Sequence, residues 1–389
     1  MSQSPTLPTD STPLLQPVRV GAWTLRNRVV MAPMTRSRAA VERVPSPLAA
    51  RYYAQRASAG LIVTEATHAH PRGYGYPDTP GIETPAQRAA WRRVTDAVHA
   101  RGGHIVLQLW HTGRIGHPSL FPDGSTPVAP SPIGAEGSVR VADGMVPMVT
   151  PRPLAADELP AIVASFAQGA RWAREAGFDG VEIHGANGYL LDQFLRDGSN
   201  HRTDAYGGSI ENRARLLLEV VDAASAAIGA DRVGVRLSPT NPYNSMQDSD
   251  PVATFTHVAR ALSTRGLAFL HVIDPAPAGA PLTDALRAAY AGTLMVNGGY
   301  DRASGDAVLR DGRADLVSYG APYIANPDLV ERFAEGAPLA EGDRSTFYAG
   351  GANGYADYPM RDGTVWTLPD ETIDADDADD EAPLAARAA

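Results

Sequence analysis

At 389 residues with 44% hydrophobic content the chain can bury a large core, as two ordinary domains or as one large α/β barrel with additions. The formal net charge of −10 sits mostly in one stretch, since Asp370 to Glu381 carries eight acidic residues and no basic one; the rest is nearly balanced, and no nucleic-acid or acidic-lipid partner is expected. The absence of cysteine excludes disulfides, thiolate metal sites and Cys nucleophiles, and no metal is expected. All 34 basic residues are Arg, which excludes Schiff-base lysines and Walker-type phosphate binding.

Taken in chain order, a strand-like run followed by a helix-like run occurs eight times. The predicted strands are 29–34, 61–67, 105–111, 180–186, 233–239, 269–274, 294–298 and 316–320. Helices are predicted over 47–59, 85–101, 157–176, 210–228, 250–265, 282–291, 304–310 and 327–335, several opening on Asp, Ser or Pro. Eight alternating units with apolar, parallel-type strands predict a (β/α)8 barrel. Residues 112–156 are too long and too rich in Pro and Gly for a βα loop, so they read as an insertion with a short hairpin that caps the barrel mouth. Residues 1–13 are expected to be a flexible N-terminus, 14–360 the barrel and 361–389 a disordered acidic tail. No apolar run approaches the roughly 18 residues of a membrane span, and residues 1–13 carry no export signal, so a cytoplasmic protein is expected.

In a barrel of this kind, functional groups collect at the carboxyl ends of the strands. The fourth predicted strand ends in Val181-Glu-Ile-His184-Gly-Ala-Asn187-Gly-Tyr189, which delivers an imidazole, an amide and a phenol within six residues. A neutral His and an Asn can donate to one substrate oxygen while a Tyr nearby hands over a proton, which suits chemistry at an activated carbon–carbon double bond. The same residues could instead only cap the next helix or satisfy loop backbone, and spacing alone does not choose. The ends of other strands carry Pro33 and Thr35, Ala66, Gln108 and Arg236, and their polar side chains are of the sort that together hold a flat heteroaromatic ring, although Gln108 or Thr35 alone is more often a structural hydrogen bonder. Gly298 and Gly299, with Gly320 and Ala321, form loops whose bare N–H groups can take a phosphate. Arg236 lies within an apolar strand and needs a buried anionic partner.

Six ordered motifs resemble one family. They are Met31-Ala-Pro-Met-Thr35-Arg, Gln108-Leu-Trp110-His-Thr-Gly-Arg114, His184-Gly-Ala-Asn187-Gly-Tyr189 with its continuation Leu-Leu-Asp-Gln-Phe-Leu, the run from Asn200 to Arg213, Ile324-Ala-Asn-Pro-Asp-Leu329, and Thr346-Phe-Tyr348 followed by Gly354-Tyr-Ala-Asp-Tyr-Pro359. Over residues 14 to 360 the chain resembles the classical old yellow enzymes, ene-reductases that carry FMN in a (β/α)8 barrel, and most closely their bacterial pentaerythritol tetranitrate reductase-like branch.

That resemblance implies that Thr35 hydrogen-bonds the flavin C4 carbonyl, with a backbone contact from Ala66 at the same edge. It implies that Gln108 and Arg236 hold the pyrimidine side, where the Arg charge stabilises the reduced flavin. His184 and Asn187 would bind the carbonyl or nitro oxygen, Tyr189 would be the proton donor, and Trp110 and Tyr348 would line the pocket. The Asn200–Arg213 run is expected to be structural. NADPH or NADH would reduce the flavin in the same pocket, so ping-pong kinetics are expected; the partners are small activated alkenes and a nicotinamide, in a monomer or homodimer. The family has an Arg after the glycine of the eighth strand, where this chain has Ala321, which puts its hold on the FMN phosphate in doubt; Arg302 is the candidate substitute. The competing readings are a nitroester or nitroaromatic reductase using the same flavin, a carboxylate-based hydrolase pairing Glu65 with Glu182, and a non-catalytic FMN-binding module.

Overall fold

The computed structural model describes residues 12–274, 281–348 and 350–369. A short antiparallel hairpin, β1 (Val18–Val20) and β2 (Trp23–Leu25), opens the chain, and β3 (Val29–Met31) and α1 (Leu48–Gln55) form the first barrel unit. Then come β4 (Leu61–Val63), β5 (Thr67–His68), α2 (Pro85–Ala100) and β6 (Ile105–Trp110). The insertion carries β7 (Val128–Ala129), β8 (Ser138–Val141), β9 (Gly144–Pro147) and β10 (Arg152–Pro153) before α3 (Leu159–Glu175). The second half runs β11 (Gly180–Gly185), α4 (Leu190–Leu195), α5 (Ile210–Ile228), β12 (Val233–Leu237), α6 (Pro251–Ser263), β13 (Phe269–Ile273), α7 (Pro281–Ala289), β14 (Leu294–Asn297), α8 (Arg302–Arg310), β15 (Leu316–Tyr319), α9 (Ala321–Ala325) and α10 (Leu329–Glu335).

Every predicted strand is present, shortened at its carboxyl end where the functional residues leave the ladder. The parallel pairings run β3, β4, β6, β11, β12, β13, β14, β15 and back to β3, so the sheet closes into an eight-stranded barrel. Closure divides the side chains by strand parity. Ile62, Ile105, Leu107, Val181, Ile183, Val233 and Val235 face outward and join the large core made with the helices. Val30, Leu61, Val63, Val106, Phe269, Met295 and Leu316 face inward at the amino end, where Val20, Trp23 and Leu25 of the β1–β2 hairpin plug the barrel. One step further along the same inward face stand Gln108, Glu182, His271 and Ser318, all buried. The last inward positions, Trp110, His184 and Arg236, open onto the mouth.

Side-chain caps set the helix starts. Thr84 and Gln87 form a capping box on α2, while Ser209 and Asp250 accept from the third residue of α5 and α6. The insertion forms the expected hairpin, β8 pairing with β9, and its Ile115 and Ala135 pack with Ala66, Trp110 and Tyr189 over the mouth. The Asn200–Arg213 run is structural: Asn200 Nδ2 donates to the carbonyls of Phe194 and Tyr206, and Arg213 Nε donates to that of Leu195 at 2.8 Å.

The boundary expected at residue 361 falls later. Arg51 and Gln55 of α1 donate to the Trp366 carbonyl at 3.1 and 2.9 Å, and Leu368 packs on the large core, so residues 361–369 belong to the barrel body. The acidic stretch 370–389 and residues 1–11 lie outside the described residues. No helix among the described residues is long and apolar enough to cross a membrane.

Candidate active site

Three side chains from one strand end define the centre of the mouth. His184 is the last inward residue of β11, its ring nearly parallel to Trp110 at 6.4 Å and edge-on to Tyr189 at 4.9 Å. Its Nδ1 accepts the Ala186 N–H at 3.3 Å, which leaves Nε2 as the protonated nitrogen. Burial, followed by the charge of Arg236, holds the imidazole pKa well below its ordinary value, so His184 is a neutral donor at physiological pH.

Asn187 adopts a left-handed backbone, φ 56°, a conformation Asn tolerates better than most residues. Its Oδ1 accepts from Asn241 Nδ2 at 2.9 Å, and its own N–H donates to Ser238 Oγ at 2.7 Å. With the oxygen occupied, the Asn187 Nδ2 group is left to donate. Tyr189 caps α4 through its backbone and is only 8% exposed. Its hydroxyl lies 3.3 Å from that of Tyr76, which stacks on Trp110 at 6.0 Å. Burial pushes the Tyr189 phenol up, so it keeps its proton throughout the neutral range.

Of the residues expected to hold a ring, Ala66 packs with Trp110 and Tyr189, and Arg236 pairs with His184 in the ladder. Gln108 is buried, and its Nε2 donates to Glu182 Oε1 at 2.7 Å. Arg236 is opposite His184 in the β11–β12 register. Its Nη2 reaches Asn297 Oδ1 at 3.3 Å, while its buried Nε has no partner among the described residues. Burial lowers the guanidinium to about 10, and the Glu182 charge opposes that fall, supplying the anion the sequence called for. Pro33 and Thr35 are half-buried after β3, and Ala66 is buried after β4. Trp110 is buried and Tyr348 is 61% exposed, yet near enough to bear on the Tyr189 phenol.

Gly298 and Gly299 both take positive φ, 138° and 88°, and a side chain on Gly299 would meet nothing within 4 Å. Gly320 comes just before α9, and a methyl there would meet only Met34, 3.7 Å away. A buried Arg whose Nε has no partner among the described residues, a fixed Gln and open glycine loops on adjoining strand ends fit a flavin mononucleotide: a planar ring against the polar side and a phosphate against the glycines.

Sequence reasoning missed Tyr76 and Asn241, and gave Asn297, at the end of the seventh predicted strand, no role of its own. The first two lie in loops that carry no periodic signal, whereas the strand parity that turns Asn297 inward, two residues after Met295, was readable. The carboxylate pair of the hydrolase reading is not assembled. Glu65 accepts the Arg36 N–H at 3.1 Å, whereas Glu182 is bound to Gln108 and His271, with no partner in common.

A parallel eight-stranded barrel with these groups at its carboxyl end defines a flavin-dependent oxidoreductase of the TIM-barrel class. The family model of the NADH:flavin oxidoreductase / NADH oxidase family matches residues 13–340, and the chain belongs to that family, the old yellow enzymes. It is 46% identical over 358 residues to 12-oxophytodienoate reductase 1 of Oryza sativa subsp. japonica, covering 90% of this chain and 93% of the relative. It is 43% identical over 366 residues to 12-oxophytodienoate reductase 2 of Arabidopsis thaliana, covering 91% and 97%. Among solved structures, morphinone reductase in complex with tetrahydroNAD superposes with a TM-score of 0.88 at 49% identity, covering 92% of this chain and all of that one. The old yellow enzyme homologue from Zymomonas mobilis gives 0.86 at 44% identity, covering 89% and 99%. FMN is the cofactor and a nicotinamide the reductant.

Position 321 carries a consequence for that cofactor. Ala321 is exposed at the start of α9, and the next residue is Pro322, which has no N–H to offer. The Nη1 of Arg302 lies 3.4 Å from where a side chain on Gly336, the cap of α10, would begin. Ala321→Arg is expected to tighten FMN binding by roughly 1.5 to 3 kcal/mol, about 10 to 150-fold, through a charge-assisted fork on the phosphate. Titration of apo-protein with FMN checks this; equal dissociation constants, together with a collapse in Arg302→Ala, would show Arg302 to be the phosphate ligand instead.

Proposed function

We propose that the protein is an NAD(P)H-dependent ene-reductase that saturates activated C=C bonds of α,β-unsaturated carbonyl or nitro compounds, with His184 and Asn187 as the oxyanion site and Tyr189 as the acid. The observation that carries this reading is the fixed polarity of the two donors. Asn241 occupies the Asn187 oxygen and Ala186 occupies the His184 Nδ1, so both groups present N–H to the mouth. Donors held in advance where negative charge develops stabilise the transition state without reorganising.

FMN, when bound, would supply hydride chemistry for the β-carbon, with a nicotinamide as the source of the hydride. The protein supplies everything else. His184 Nε2–H and Asn187 Nδ2–H hold the carbonyl or nitro oxygen and take up the charge that appears there. The Tyr189 hydroxyl gives the proton to the α-carbon, and its neighbour Tyr76 steadies it through the contact at 3.3 Å. Trp110, Ile115 and Ala135 cover the pocket and exclude water. Thr35, Ala66, Gln108 and Arg236 would hold the ring, and Gly298, Gly299 and Gly320 the phosphate. Binding of both substrates in one mouth makes the kinetics ping-pong.

Oxidation of NADPH or NADH on adding 2-cyclohexenone, with cyclohexanone as product, tests the reading; nicotinamide oxidation that goes only to oxygen, with the enone recovered intact, would contradict it. A pH profile tests the acid. Because burial raises the Tyr189 pKa, the proton stays on the phenol where a free tyrosine, near 10, would begin to lose it. Enone reduction by pre-reduced enzyme is therefore expected to stay flat up to about pH 9.5, and a decline with an apparent pKa near 8 would point to another donor.

A further inference from the structure

Beneath the mouth, the inward face carries a chain of polar side chains that runs from Gln108 to residues the reaction does not use directly. Barrel interiors are ordinarily filled by branched apolar residues. Here Gln108 Nε2 donates to Glu182 Oε1 at 2.7 Å, Glu182 Oε2 lies 2.8 Å from His271 Nδ1, and His271 Nε2 lies 2.8 Å from Ser318 Oγ. The four residues come from β6, β11, β13 and β15, and Glu182 and His271 are wholly buried. Glu182 stands opposite Gln108 in one ladder, and His271 opposite Arg236 in another, so Glu182 and His271 lie beside the two groups assigned to the flavin pyrimidine.

The protonation pattern follows from the partners. Burial lowers the His271 pKa, so the ring is neutral. Nδ1–H then donates to the carboxylate, and Nε2 accepts the Ser318 hydroxyl. With one Glu182 oxygen on His271 and the other on Gln108, the Gln108 amide cannot flip. Its oxygen is the group left to face the cofactor. The Glu182 charge also offsets that of Arg236.

Resting on the FMN reading above, we propose that Glu182, anchored by His271 and Ser318, is a positioning residue that fixes the face Gln108 presents to the flavin and, by offsetting Arg236, sets the flavin reduction potential. A buried carboxylate near the pyrimidine opposes the negative charge gained on reduction, so its removal should favour the reduced cofactor.

In FMN-loaded Glu182→Gln the amide keeps an acceptor for Gln108, and His271 can exchange tautomers to meet the new N–H, so the hydrogen-bond chain survives without its charge. The ratio of reduced to oxidised FMN affinity is expected to rise about tenfold, an upward shift of ~30 mV for a two-electron couple, read by equilibration with reference dyes. Glu182→Asp keeps the charge but withdraws it from Gln108. It should leave the potential near that of the wild type and weaken FMN binding about three- to tenfold, the loss of one hydrogen bond.

An unchanged potential in Glu182→Gln overturns the proposal. So does an Asp variant with wild-type FMN affinity, which stands as the test if the Gln variant does not fold. Equal potential shifts in both variants would mean that packing alone is at work, and would also overturn it. A wild-type protein that binds no FMN would instead defeat the cofactor reading on which the proposal rests.

Discussion

In Tyr189→Phe, reduction of the bound flavin by NADPH is expected at the wild-type rate, while reduction of enones falls by about 10² to 10⁴-fold, the usual contribution of a positioned acid. The asymmetry arises because the phenol serves only the second half-reaction. The site holds it ready: the ring is packed against Trp110 at 4.9 Å and His184 at 4.9 Å, so losing the hydroxyl leaves the aromatic wall standing. Nitroalkenes should lose less in the hydride step, since a nitronate is a stable anion that water can protonate later. Stopped-flow measurement of each half-reaction checks this, and equal slowing of both would remove Tyr189 from the role.

His184→Ala should cost about 10² to 10³-fold in enone reduction, the typical effect of deleting one oxyanion donor. It should also weaken binding of phenols, whose phenolate imitates the substrate oxygen, by about 1.5 to 3 kcal/mol. Because the ring is neutral, the loss is that of a donor and not of a charge, and the difference should hold across the neutral pH range. Asn187→Ala should act in the same direction, less strongly if Asn241 Nδ2, released from its partner, turns toward the ligand. Titrations followed by the flavin absorbance read both; unchanged phenol binding in the two variants would place the substrate elsewhere.

The barrel was legible because each strand is an apolar run of the length a buried parallel strand requires, separated by helices with readable caps. What escaped lacks such a pattern. The β1–β2 hairpin has strands of three residues, and α4 is buried along all six residues, so no amphipathic stripe marks it. At the site, His184, Asn187, Tyr189, Gln108 and Arg236 follow strands and could be placed by counting. Tyr76 and Asn241 are brought in by loops whose course depends on tertiary packing, and sequence periodicity carries no information about them. Arg236 announced a buried anion without naming it. Glu182 stands two residues before His184, and the inward parity that makes it a neighbour of Arg236 was visible, but its commitment to Gln108 and His271 was not. Residues 361–369 were read with the acidic tail because they lack large apolar runs; Trp366 is held by its carbonyl and by the Arg101 guanidinium 4.3 Å from its ring.

The most direct test of the account is an anaerobic two-step titration of the FMN-reconstituted protein. NADPH or NADH should bleach the yellow oxidised flavin, and 2-cyclohexenone should then restore it with formation of one cyclohexanone per flavin. A protein that takes up no FMN, or a reduced flavin that stays bleached in the presence of the enone and recovers its colour only when air is admitted, would contradict it.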